Sequence, residues 1–177
     1  MNRRDAVWLL AACLLPGALV AQAKAPVGKR EWRTATPTEL EALLPARAPV
    51  ERERIETEMS SATGVIDSHG KMVAAVVLIT AGYAANGKYS HYLLTQIPIR
   101  IGDDIKLQAG AYVIGWTREQ DGLRVHVYEA ATGVERGISL ARMMTQPMPV
   151  VPIKIWSPSD RSIIQIGRFQ LPYTPLD

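Results

Sequence analysis

The residues of this 177-residue chain best suited to chemistry are three histidines, one cysteine and a run of tyrosines at mid-chain. His69 falls in Asp67-Ser68-His69-Gly70, which reads as a turn. His91 and His126 fall in alternating apolar stretches that read as strands. None of the three belongs to a His-x-His, His-x-x-x-His or His-Glu-x-x-His pattern. A zinc site would need distant strands to bring its ligands together, with a carboxylate completing the set. The reading is therefore of no metal and no cofactor. Serine catalysis lacks its Gly-x-Ser-x-Gly elbow. Ser90 and His91 are neighbours expected on opposite faces of one strand, so they are not expected to pair as nucleophile and base. A glycosidase-type carboxylate pair leaves no linear signature, and most acidic residues here sit in turns or polar alternations.

Gly82 to Tyr92 is the densest cluster. It holds three of the six tyrosines, with Lys88 and His91, around an Asn86-Gly87 hairpin signal. Tyrosine offers rigid contact area and a hydroxyl at low entropic cost, which suits recognition. Alternation along a strand expected over 89–97 puts Tyr89 and His91 on one face and Ser90 and Tyr92 on the other. Tyr83, Lys88, Tyr89 and His91 are thus the candidate binding residues. The competing reading is that Tyr89 or Tyr92 closes the end of the core. Trp116 and Trp156 read as core.

The elements that position these residues are mostly strands. Thr36-Pro37-Thr38-Glu39 reads as a helix start with a capping box, and Leu40, Leu43 and Leu44 give it one apolar face before Pro45. Residues 50–59 carry both helical charge spacing and strand alternation, and strand is favoured. Strands are then expected over 72–80, 89–97, 99–101, 111–118, 123–129, 137–143, 153–156 and 163–169, with Met148 to Val151 a loop or edge segment. Turn signals recur about every eight to twelve residues, the spacing of an antiparallel sandwich or barrel. The expected fold is all-β, with about eight strands and a short N-terminal helix. Gly110, just before Ala111-Tyr112-Val113-Ile114, is expected to be structurally exacting, and more so than Gly70.

The first residues read as an address. Arg3-Arg4, an apolar stretch from Ala6 to Val20 and Ala21-Gln22-Ala23 have the layout of an export signal cut after Ala23. Residues 24–35 then form a flexible lead-in and 36–177 one β-rich domain, placed in the periplasm or secreted. Leu10-Ala11-Ala12-Cys13 matches a lipoprotein box, but only about seven apolar residues precede the cysteine, so anchoring through Cys13 is the lesser alternative. The Sec and twin-arginine routes are both open. Loss of the leader removes the sole cysteine, and lowers the formal charge of +3 by one because two arginines and an aspartate leave. Basic residues are scattered among acidic ones, as in Glu51-Arg52-Glu53-Arg54, so no nucleic-acid footprint is present. No stretch after the leader is apolar for long enough to span a bilayer as a helix.

Leu107-Gln108-Ala109-Gly110-Ala111-Tyr112-Val113-Ile114-Gly115-Trp116, followed by Leu123 to Tyr128, resembles a group of secreted bacterial β-sandwich proteins. In that group an Ala-Gly-x-Tyr segment opens a strand. The resemblance covers about thirty residues and implies a fold, with no activity attached. Taken together, the residues favour an exported, non-catalytic β-domain that meets an envelope or secreted protein, or serves a structural role. The alternatives are a β-barrel enclosing a small apolar ligand and a hydrolase assembled across strands. A filled interior favours the first, a large cavity the second, and a cleft joining His with Asp or Glu the third.

Overall fold

The computed structural model describes residues 31–80 and 88–176. After β1 (Arg33–Thr34) comes the helix α1 (Pro37–Leu43), started as its residues dictate. The Thr36 hydroxyl accepts from the Glu39 N–H, and the Glu39 carboxylate accepts from the Thr36 N–H at 2.9 Å. Arg33 grips the same carboxylate with both guanidinium nitrogens, at 2.6 and 2.8 Å, and holds it well below the usual range, at about 2.

Strands β2 (Arg47–Val50) and β3 (Glu53–Ile66) make a tight hairpin. β4 (Met72–Ile79) and β5 (His91–Thr95) follow, then the short pair β6 (Ile99–Ile101) and β7 (Ile105–Leu107). A meander of β8 (Gly110–Arg118), β9 (Gly122–Glu129) and β10 (Glu135–Met143) leads to β11 (Val151–Ile155), β12 (Ile163–Gly167) and β13 (Phe169–Pro175). Every pairing is antiparallel. The sheet order is β1-β3-β4-β5-β8-β9-β10-β13-β12-β11, with β2 added on β3, and β6 with β7 added on β13. The sheet curls into a half-barrel. Its two ends approach where the Ile155 N–H donates to Thr63 Oγ1 at 3.4 Å.

The fold is all-β as expected, but the described residues hold thirteen strands rather than about eight. β1 and β7 are two and three residues long, too short to show a period. β2 carries Pro49 and β13 carries Pro172 and Pro175, and proline argues against a strand in sequence. The expected strand 163–169 is two strands, because Gly167 at φ 59° reverses the chain and brings Phe169 opposite Ile166.

Two apolar clusters clamp the central strands. One fills the curl with Leu93, Ile114, Val125, Ile155, Ile164 and Tyr173, all exposed by 2 % or less. The other, on the reverse side of β4, β5 and β8, includes Val77, Tyr92 and Val113, and is covered by Leu40 and Leu44 at α1 and Val50 of β2. This double coverage explains the continuous apolar text of Met72 to Ile79.

Candidate functional site

The second cluster opens to the surface at one end, and polar chemistry collects there. The β2–β3 loop is the two residues Glu51 and Arg52, with Glu51 at φ 53°, a left-handed conformation that costs a non-glycine residue about 1–2 kcal/mol. Two bonds hold it. Its N–H donates to the Ala130 carbonyl at 2.7 Å, and its carboxylate accepts the Tyr89 hydroxyl at 2.5 Å. Gly133, at φ 67° between β9 and β10, leaves room for that carboxylate, since a Cβ there would overlap Glu51 Oε1.

Tyr89 meets Tyr128 edge-on, with ring centroids 5.3 Å apart. The Lys88 ammonium lies 4.8 Å from the Tyr89 ring and 4.4 Å from that of Tyr128, so both present a face to a cation. His126 stacks on Tyr128 with ring centroids 6.0 Å apart, and its Nδ1 is 2.8 Å from Glu135 Oε1. Beside Glu51 and Tyr89 lies a depression of about 580 Å³, lined also by Val50, Arg52, Ile55 and Thr132 among others. Burial, then the bond to the Glu51 carboxylate, push the Tyr89 hydroxyl up, so it stays a donor across the ordinary pH range. Burial also raises Tyr128, and the Glu135 charge adds to this while Lys88 opposes it.

Of the four residues expected to bind, the structure brings Lys88 and Tyr89 together, with Tyr89 on the lining of the depression and Lys88 over its ring. Tyr83 lies outside the described residues, as do the Asn86-Gly87 turn, the leader with its Ala23 cleavage position, and Cys13. His91 is elsewhere. Regular strand begins only at His91, so alternation cannot be counted back through 88–90. Tyr89 belongs to the second cluster with Tyr92, whereas the His91 ring stacks at 5.0 Å on Trp116, which packs against the first. Tyr89 and His91 are both buried, at 3 % and 5 % exposure, and do not form the shared surface patch that alternation suggested.

The expectation that Ser90 and His91 stay apart is also corrected, because His91 Nδ1 sits 3.0 Å from Ser90 Oγ. The polarity is wrong for an activated nucleophile. Ser90 Oγ donates to the Ile114 carbonyl at 3.1 Å, so it accepts from the histidine rather than giving it a proton. Burial holds His91 neutral down to about 4. Ser68 and Lys71 have Ser-x-x-Lys spacing, but both lie in an exposed turn in which Asp67 Oδ1 accepts the His69 and Lys71 N–H groups. Among the described residues, no group of three His, Cys, Asp or Glu is placed to hold a metal. No described helix is long and apolar enough to cross a membrane.

The glycine that matters most is not the expected one. A Cβ on Gly110 would have the Tyr112 hydroxyl as its nearest neighbour, at an ordinary 3.6 Å, and its φ is unremarkable, whereas Gly70 needs φ 77°. A Cβ on Gly115 would overlap the Lys88 carbonyl oxygen. The backbone entering the site thus lies directly on Gly115, and Lys88 and Tyr89 are placed by that contact. Neither a family model, nor a curated protein, nor a solved structure matches this chain.

Proposed function

We propose that this protein is an exported, non-catalytic recognition domain. Its depression beside Glu51 takes a basic side chain from an envelope or secreted partner. The observation that carries the reading is Glu51, a strained residue whose carboxylate is pinned to a buried tyrosine at the lip of an open depression. Backbone strain of this kind collects where a side chain must be aimed. Lys88, resting on the Tyr89 and Tyr128 rings, supports the chemistry, because those faces already hold a cation beside a carboxylate. A barrel enclosing an apolar ligand is less favoured, because close-packed side chains fill the curl. A hydrolase is less favoured because Ser90 accepts from His91. The basic start and apolar run at the head of the chain support export.

The test is site-specific photo-cross-linking in the producing cell. A photoreactive residue at exposed Ala131, on the lip, should give a discrete protein adduct that the same residue at exposed Lys106 does not. Glu51→Gln keeps an acceptor for Tyr89 but removes the charge, and should reduce the adduct about tenfold or more, as loss of a central charged contact does. Equal labelling from both positions, or an adduct indifferent to Glu51→Gln, would sink the reading. So would saturable one-to-one binding of a fluorescent fatty acid.

A further inference from the structure

We infer that the opposite end of the β9–β10 hairpin is a docking face for an anionic phospholipid surface. β9 has eight residues, so this end is roughly 25 Å from the Glu51 depression. Met143 and Val150 are 53 % and 61 % exposed. Met143 pairs with Phe169 across β10 and β13, and lines a cleft of about 420 Å³ with Pro147, Val150 and Arg168. Pro147 and Pro149 fix φ and withdraw two N–H donors from the stretch 144–150, so it presents apolar side chains without inviting another strand.

The rim is basic. The Arg118 guanidinium lies 4.5 Å over the Phe169 ring, Arg142 precedes Met143, and Arg168 sits in the β12–β13 turn. All three are exposed, and none makes an ion pair among the described residues. Nearby carboxylates are largely spoken for: Glu119 by Arg124 and Asp160 by Arg161, leaving Asp121. An apolar tip ringed by guanidinium groups without a carboxylate partner among the described residues suits a bilayer interface. The tip enters the acyl boundary while each arginine forks onto phosphate oxygens. A soluble acidic protein offers the charge without the apolar layer beneath it, so the lipid surface accounts for both halves of the face.

A local probe keeps this distinct from any membrane binding by the apolar leader. In the full chain with Cys13→Ser, an environment-sensitive fluorophore on Val150→Cys is compared with one on Ala131→Cys at the far end. Vesicles of phosphatidylglycerol with phosphatidylcholine should blue-shift the Val150 probe and leave the Ala131 probe unmoved, and phosphatidylcholine alone should shift neither. Arg118→Gln with Arg168→Gln should weaken the response about twenty-five-fold, at roughly fivefold per arginine. Unchanged melting temperatures would show that these exposed changes leave the fold intact. The inference fails if both probes shift together, if both vesicle types act alike, or if neither moves the Val150 probe. It fails too if soluble polyglutamate reproduces the shift, which would mark an acidic polypeptide as the occupant. Because the Glu51 depression lies at the other end, either result leaves the cross-linking outcome at Ala131 independent.

Discussion

His91 makes stability depend on pH. Its ring is buried against Trp116 and stays neutral in the fold down to about 4, against 6.5 for an ordinary histidine. The folded chain therefore binds fewer protons than the unfolded chain between those values, and stability falls as pH drops through that window. The loss should reach up to about 3 kcal/mol by pH 4 and be absent above about pH 7. Glu39, held at about 2 by Arg33, adds a loss of the same sign only below about pH 4.5. Urea unfolding at intervals from pH 7.5 to 4 should show the slope, and His91→Phe, which keeps the ring stack, should flatten it. A wild-type curve level down to pH 5 would refute the assignment. At this scale the sequence was partly legible. Lys88 and Tyr89 stood out because aromatic and cationic side chains beside a turn are uncommon. Glu51 and Tyr128 did not. One looked like a solvated charge in Glu51-Arg52-Glu53-Arg54 and the other like the last residue of an alternating strand. What makes them functional candidates are contacts with Tyr89, each spanning about forty residues, which no local pattern records.

The contact between the Lys88 carbonyl and Gly115 decides how the elements tolerate change. Gly115→Ala should force that backbone off β8 and cost about 2 kcal/mol or more, roughly 4–8 °C in melting temperature. Gly110→Ala, with only ordinary contacts to make, should stay within about 0.5 kcal/mol of the parent. Thermal melts of the two variants side by side decide the matter, and equal losses would show that the Lys88 segment yields easily. Periodicity and turn residues located α1, β4, β8 and β9 well, because each is long enough to repeat its pattern or carries its own cap. Strand was also the correct choice within 50–59, where β3 begins at Glu53. The misses share another cause. β2 and β13 are stabilised by the strands beside them rather than by composition, and their prolines disguised them. β5 starts at His91 rather than 89; Ser90 still bonds to Ile79 and Ile114 on either side, while the Lys88 carbonyl lies against Gly115 of β8.

The whole molecule depends on its last strand. β13 pairs with β12 over Phe169 to Pro172, with β10 over Phe169 and Gln170, and with β6 over Tyr173 to Pro175. Tyr173, 1 % exposed, also donates to the Trp156 carbonyl at 2.7 Å. A chain ending at Gly167 should therefore lose cooperative melting altogether, as followed by circular dichroism. One ending at Pro175 should melt close to the parent, since it gives up only the Leu176 N–H bond to Pro98 among the described contacts. A cooperative transition in the shorter chain would show that β1 to β12 fold without β13. That the fold is all-β was legible in the spacing of turns, but the half-barrel and its closure were not, because Thr63 and Ile155 meet across ninety-two residues. One feature of that closure has a mechanical side. β10 and β13 share only two residue pairs, Arg142 with Gln170 and Met143 with Phe169, whereas β9 and β10 share seven. The seam is thus short, and β6 on β13 and the Thr63–Ile155 bond tie the same two parts of the sheet together elsewhere. Any widening of the curl along this line would have to part only the two pairs of β10 with β13 but would also load the β6–β13 pairs, so the short strand β6 acts as the strap that holds the curvature.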